Sequence, residues 1–263
     1  MDLTSVRFGL GDHTATPAPT GNRDLCIMEA VAYIAGEPWS SSPACASPVV
    51  SAFLRVWNDA LSDDDRDRLL PADVWVPRLV GSRGDDATER RRVHLALDWL
   101  VRVHAPIWFD LVPALAPHAA RLRALPEITV ETALNITQGP ATDANSAWAA
   151  AWAAWEAARA ALPAGGGISW MDGTIRRESD TGAAAREACG AAAQTQICEA
   201  SSAWGAAKDA RNAAWAAWAT AGFHLPVHHL HPTVEKLQQS ALDLLDRMLL
   251  CGTESSPPPT TPA

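Results

Sequence analysis

Between about residues 141 and 221 the chain consists largely of alanine interrupted by tryptophan, and this stretch limits the possible folds more than any other part. Alanine has the highest intrinsic helix propensity. Its methyl group also lets helix axes approach closely, so such helices bury little area per residue. A tryptophan ring, by contrast, buries on the order of 200 Å². We therefore predict an all-α protein, a multi-helix bundle whose second half has long helices with tryptophans packed over alanine surfaces.

Two segments of this stretch have helical periodicity. The first, residues 144–162, carries tryptophans at positions i, i+4 and i+7, which share one face of a helix. The second, residues 181–221, is predicted to end at Gly222 and to break near Ser201, and its tryptophans also share a face. These faces either belong to the core or form an exposed stripe that binds a partner, because tryptophan is favoured at interface hot spots. The partner-binding candidates are Trp148, Trp152, Trp155, Trp204, Trp215 and Trp218.

The remainder of the chain is also predicted to be helical. Apolar runs, caps and breakers place helices at residues 22–35, 47–61, 87–104, 107–115, 118–125, 130–136 and 232–250, with a short helix opening at residues 62–65. Residues 71–86 are expected to be irregular because Pro77, Gly81 and Gly84 interrupt them. We divide the chain into a flexible N-terminus (1–21), a helical first half (22–140), a second half (141–252) packed on the first as one domain, and a disordered tail (253–263).

Composition argues against several classes of protein. The net charge of −9 disfavours nucleic-acid binding, which needs clustered lysine and arginine. The five cysteines are scattered and lack C-x-x-C spacing, which predicts a reducing, cytoplasmic location. No window of about 20 residues is apolar enough to span a membrane, so no membrane association is predicted. The chain contains no nucleotide- or cofactor-binding motif, and we predict no cofactor.

Isolated polar residues on apolar helices are the candidates for chemistry. His94, Asp98 and Arg102 follow one another at four-residue spacing, and the last two can form an i,i+4 ion pair. Glu29 is a lone charge on an apolar helix, and we expect it to be buried and paired with Arg102 or Arg55, since an unpaired buried carboxylate is costly. The set is either a structural network that fixes helix register or a polar pocket. As weak catalytic candidates we retain Glu29, Asp98, Arg102 and His94.

Histidines and cysteines supply two further alternatives. A group of histidines around two prolines suggests a metal site, but its spacing matches no zinc pattern, and we predict a loop in which His231 caps the last helix. Cys26 and Cys45 would act as nucleophiles only beside a base such as His94 or His104; otherwise they are inert. The histidines in question are His224, His228, His229 and His231.

Residues 26–39 read Cys-Ile-Met-Glu-Ala-Val-Ala-Tyr-Ile-Ala-Gly-Glu-Pro-Trp. This stretch resembles a family of proteins without known activity from actinobacteria and their phages. The similarity continues at residues 43–49, 53–59, 77–81, 97–102 and 237–248. The alanine-rich half is loosely similar to immunity-type proteins of bacteria and phages. The first resemblance implies no activity, and the second favours a non-catalytic binding role, by analogy alone.

Two functions follow from the sequence. The first is a non-catalytic helical protein-binding protein, either immunity-like or a phage-related accessory factor, that binds through an exposed tryptophan and alanine face. The alternative is an enzyme or small-ligand-binding protein whose polar site lies between helices of the first half, around Glu29, Asp98 and Arg102.

Overall fold

A computed structural model describes residues 1–15, 19–129, 140–160, 181–193, 200–224 and 229–251. The chain is all-α, as predicted, and no sheet forms in these residues. The α-helices are α1 (Ile27–Ala35), α2 (Pro48–Ala60), α3 (Asp63–Leu69), α4 (Ala72–Leu79), α5 (Asp86–Trp99), α6 (Ala105–Phe109), α7 (Ala116–Ala124), α8 (Pro140–Ala160), α9 (Thr181–Ala193), α10 (Ala200–His224) and α11 (His231–Leu250). A π-helical turn (Leu100–His104) and 3₁₀ turns at Leu3–Ser5 and Pro113–Leu115 complete them.

Three helices of the first half begin where their capping residues predict. The side chains of Ser47, Ser62 and Asp85 accept hydrogen bonds from backbone amides three residues later, at 3.2, 3.2 and 2.8 Å. Each bond satisfies one of the amides that the first helical turn leaves without a partner. The predicted starts of α2, α3 and α5 are thereby confirmed to within a residue.

Helix α1 begins at Ile27 rather than at residue 22, so the predicted start was wrong. Arg23 has a φ of 59°, a left-handed conformation that no α-helix contains. The Asp24 carboxylate folds back to accept the amides of Thr20 and Gly21, at 2.6 and 3.0 Å. The chain therefore makes a turn before Cys26, and Cys26 caps the helix.

Prolines and glycines end fewer helices than predicted. Residues 71–86, expected to be irregular, contain α4, which has Pro77 inside it. Helix α5 continues through the π turn into α6, and the π turn ends two residues before Pro106, whose ring nitrogen cannot donate to the carbonyl of Arg102. Gly222 does not end α10, which runs on to His224. The predicted helix 130–136 and the tail 253–263 lie outside the described residues.

A short part of the N-terminal segment, residues 6–9, packs on the rest of the protein. Val6 and Phe8 are buried in the core. The backbone of residues 7–9 pairs with residues 21–25, through bonds such as the 2.9 Å contact from the Gly9 amide to the Leu25 carbonyl. Apolar side chains at alternate positions, Val6 and Phe8, anchor this short extended segment.

The alanine-rich helices pack closely on each other and on the first half. Helix α8 lies along α10, and α9 lies along α2. Their buried surfaces are almost entirely alanine, including Ala184, Ala185, Ala188, Ala213, Ala214, Ala216 and Ala217. One contiguous hydrophobic cluster contains residues of both halves, from Val6 to Leu249. In the described part of the chain, no helix has both the length and the apolarity needed to cross a membrane.

Candidate functional site

Glu29 is the centre of the most extensive buried polar cluster around α1. It is the third residue of the helix and only 1% exposed. One carboxylate oxygen, Oε2, accepts the Cys26 amide at 2.7 Å and the His13 ring nitrogen Nδ1 at 2.8 Å. The other, Oε1, accepts the His13 amide at 2.7 Å and the Trp39 indole at 3.2 Å. Glu29 is therefore buried, as predicted, and both oxygens are used.

His13 is held in one orientation by this carboxylate. Because an ionised carboxylate only accepts hydrogen bonds, Nδ1 of His13 carries the proton that points to Glu29. The same arrangement orients the general base in catalytic triads. Here, however, the opposite edge of the ring packs against Gly9, where a Cβ would lie 2.6 Å from Nε2. The pair therefore fastens residues 9–13 to α1, and Gly9 supplies the space for the ring.

The loop of residues 9–13 is held from α2 as well. The Asn58 side chain donates to the Gly9 carbonyl at 2.8 Å, and the Asp59 carboxylate accepts the Gly11 amide at 2.8 Å. Two of the stretches that carry the family resemblance, residues 26–39 and 53–59, thus meet at one loop. Sequence reasoning missed His13 because it lies in a segment without periodicity; the available signal was Glu29, a carboxylate that needed a partner.

The predicted pair between Asp98 and Arg102 is confirmed, with Nη1 of Arg102 2.9 Å from Oδ1 of Asp98. The same oxygen accepts the Ile128 amide at 2.9 Å, so Asp98 also fixes the segment after α7. The predicted pairing of Glu29 with Arg102 or Arg55 is wrong. Glu29 lies in the first turn of its helix, so its carboxylate bonds to amides at that helix end and to His13.

Of the two cysteine candidates, Cys26 lies in surroundings that oppose nucleophilic chemistry. Burial, reinforced by the charge of Glu29, raises the pKa of the Cys26 thiol to about 12, so it is protonated at neutral pH. Cys45 is half-buried. His94 and His104 are both buried, and the His104 ring lies 5.1 Å from the Trp99 ring.

The histidine group near α11 is not arranged as predicted. His231 is the first residue of the helix, the capping position belongs to Leu230, and no side chain caps this end. His229 and His231 are exposed, and His228 lies outside the described residues. Among the residues that the structure describes, no three histidine, cysteine or acidic side chains are placed to hold a metal ion.

The tryptophan candidates divide between core and surface. Trp218 is buried, 2% exposed, while Trp148 and Trp215 are half-buried. Trp152 is 41% exposed, and its ring stacks on that of Trp215 with centroids 6.4 Å apart and planes 29° apart. For Trp155 and Trp204 the structure describes the helix but not the side chain.

A second buried ionic cluster was not predicted. Nη1 of Arg92 lies 2.6 Å from Oε1 of Glu89, and Nε of Arg92 donates to the Met248 carbonyl at 2.8 Å. The hydroxyl of Ser47 donates to Oε2 of Glu89 at 2.6 Å. These bonds join α5 to the end of α11 and to the cap of α2. These bonds could not be predicted, because Glu89 and Arg92 lie among many charged residues at the start of α5.

Comparisons of the chain with protein families, with curated proteins and with solved structures found no match. The structure itself defines the class of protein. It is all-α, and buried polar clusters hold its loops and helix ends. In the described residues of the alanine-rich half, the pair of Trp152 and Trp215 reaches the surface.

Proposed function

We propose that the protein is a non-catalytic binding protein that holds a helix of a partner protein against the outer face of α8. The observation that carries this proposal is Trp152, a large apolar side chain that is 41% exposed and is held in place by stacking on Trp215. A rigid aromatic side chain at the surface loses little entropy on binding, which is why tryptophan dominates interface hot spots.

The rest of the face suits a helical partner. Where the structure describes the side chains of α8, the exposed residues around Trp152 are mostly alanine and include the charged Glu156. Alanine methyl groups permit another helix to approach closely, and Trp152 supplies the buried area that the alanines lack. We define the α8 outer face by its exposed residues, Ser146, Ala149, Trp152, Ala153, Glu156 and Ala157.

The polar clusters support a role without catalysis. Glu29 uses both oxygens to hold His13 and backbone amides, and Asp98 bonds to Arg102 and to the Ile128 amide. Groups used in this way stabilise the fold and have little capacity left to bind a substrate. The resemblance to immunity-type proteins and to a phage-related family supports an immunity-like or accessory role in the cytoplasm.

Photo-crosslinking tests this assignment directly. A photoreactive phenylalanine analogue replaces Trp152 in one version of the protein and Val74, which is 46% exposed on α4, in a matched control. After irradiation of the cells that make the protein, we expect one defined protein adduct from position 152 and none from position 74. The purified partner should then bind the Trp152→Ala variant at least tenfold more weakly, a loss of about 1.4 kcal/mol, and the Val74→Ala variant normally.

Two results would count against the proposal. The absence of an adduct at position 152, or the same adducts from both positions, would mean that the face has no specific partner. An adduct of twice the mass of the chain would show that this face binds a second copy of the same chain rather than a different protein. Thermal unfolding of both alanine variants serves as the control for folding.

A further inference from the structure

A cleft lies between α2, α9 and the segment of residues 42–48. Its volume is about 610 Å³, including the part that opens to solvent. Ser51 and Arg55 of α2, Arg83 before α5, and Ala191 of α9 are among its lining residues. Neither the proposed function nor any predicted site uses this cleft.

Two exposed arginines that line the cleft have no carboxylate partner among the residues that the structure describes. Most arginines that the structure describes are ion-paired, as Arg66 is with Asp63 and Arg78 with Asp246. Arg55 and Arg83 instead use a guanidinium nitrogen to bond the Ser42 hydroxyl at 3.2 Å and the Ala44 carbonyl at 3.3 Å. Both side chains are therefore tethered to one segment, and each keeps further N–H donors available.

Ser51 provides an independent observation. It is 3% exposed, and its hydroxyl has no hydrogen-bond partner although it lies just beneath the wall of the cleft. An unsatisfied buried hydroxyl costs free energy, so a ligand oxygen that accepted a hydrogen bond from it would be favoured. The first residue of α2, Pro48, also lines the cleft.

Two carboxylates of the neighbouring segments are bonded to other groups. Glu37 accepts the Ala44 amide at 2.6 Å, and Glu89 is paired with Arg92 and bonded to Ser47. In a chain of net charge −9, two arginines without a carboxylate partner line the same cleft. Guanidinium groups bind the oxygens of phosphate in a fixed fork geometry, and a dianion matches two of them.

We infer that this cleft binds a phosphate group, either free or as the phosphate of a small molecule, between Arg55 and Arg83, with Ser51 as an additional hydroxyl donor. The inference is independent of the α8 outer face, which lies on a different helix.

Titration calorimetry with inorganic phosphate and with pyrophosphate tests the inference on the full chain. We expect saturable binding that Arg55→Ala and Arg83→Ala each weaken by about tenfold or more, the usual effect of losing a charge-assisted hydrogen bond. Ser51→Ala should weaken binding by about threefold, as the loss of one neutral hydrogen bond does. Arg121→Ala, which removes the same charge from an exposed position on α7, should leave binding unchanged.

A comparison of phosphate with pyrophosphate distinguishes the two sources of the phosphate group. Pyrophosphate binding more tightly than phosphate would indicate a phosphorylated small molecule, and equal binding would indicate free phosphate. Absence of saturable binding with both probes, equal binding by all variants, or acetate binding as well as phosphate would each overturn the inference. Thermal unfolding of each variant confirms that the fold is intact.

Discussion

The first half of the chain (residues 22–140, here the first part) and the alanine-rich second half (residues 141–252, the second part) are both helical. They are held together in different ways. In the described residues, every buried charged side chain belongs to the first part, namely Glu29, Arg66, Glu89, Arg92 and Asp98. Where the structure describes the side chains of α9 and α10, the buried polar residues are Thr181 and Thr220, among many alanines. The first part contains short helices joined by loops, whose backbone groups need partners; the long helices of the second part satisfy most of their own.

This difference predicts opposite sensitivities. In the first part, removing a polar side chain leaves buried amides without acceptors, so deletions should be the most harmful change. In the second part, alanine surfaces pack closely against their neighbours, so added atoms should be harmful where a neighbouring side chain fills the space. Substitutions in each part can test whether the contrast is real.

The largest effect is expected for Glu29→Ala. The change removes the acceptor of two backbone amides and of the His13 and Trp39 side chains. We expect a loss of about 3–5 kcal/mol of unfolding free energy, the range for breaking a buried charged contact. Urea denaturation measures it.

Two variants accompany this test. Glu29→Gln keeps the shape but replaces one acceptor oxygen with a donor, so it should recover only part of the loss. Asp59→Ala removes an exposed carboxylate that holds the same loop through the Gly11 amide, and it should cost less than about 1 kcal/mol. Equal losses for Glu29→Ala and Asp59→Ala would show that burial of the Glu29 cluster contributes nothing.

An intermediate effect is expected for Gly182→Ala in α9. A Cβ at this position would lie 2.6 Å from Cε1 of His104, too close for any real contact. Overpacking of this kind costs about 1–3 kcal/mol. In most helices the same substitution is stabilising by up to about 1 kcal/mol, because alanine has the higher helix propensity.

A double-mutant cycle with His104→Ala separates the two contributions. When the His104 ring is absent, Gly182→Ala should become neutral or stabilising, because only the propensity effect remains. A Gly182→Ala variant as stable as the original chain in the presence of His104 would mean that close packing does not limit the second part.

The sequence predicted features that depend on neighbouring residues, such as helix starts. It did not predict contacts between residues that are distant along the chain. Serine caps predicted the starts of α2 and α3, and alanine composition predicted helices in the region of α8 to α10. Glu29 was recognised as a buried charge, but its partner His13 lies 16 residues away in a segment without periodicity. The cleft of Arg55 and Arg83 joins residues from α2 and a loop, and a single sequence does not reveal such a pairing.

The smallest effect on stability at neutral pH is expected from the titration of two thiols, Cys26 in the first part and Cys189 in the second. Burial raises the pKa of Cys189 to about 12, and burial together with the charge of Glu29 does the same for Cys26, from an ordinary value of 9.0. Between pH 9 and 12 the unfolded chain has lost these protons while the folded chain keeps them. Stability should therefore be unaffected below pH 9 and fall above it, by at most about 1.4 kcal/mol per pH unit for each thiol.

Urea denaturation at pH 8 and pH 10 checks this slope, with Cys26→Ala and Cys189→Ala as the comparison. Each variant should lose less stability between the two pH values than the original chain, because one thiol no longer titrates. Alkylation at pH 8 gives a second readout: half-buried Cys45 and Cys251 should react in the folded protein, and Cys26 and Cys189 only after unfolding. If Cys189 reacts as fast as Cys45, the alanine helices around it open readily, and the close packing that distinguishes the second part is not maintained in solution.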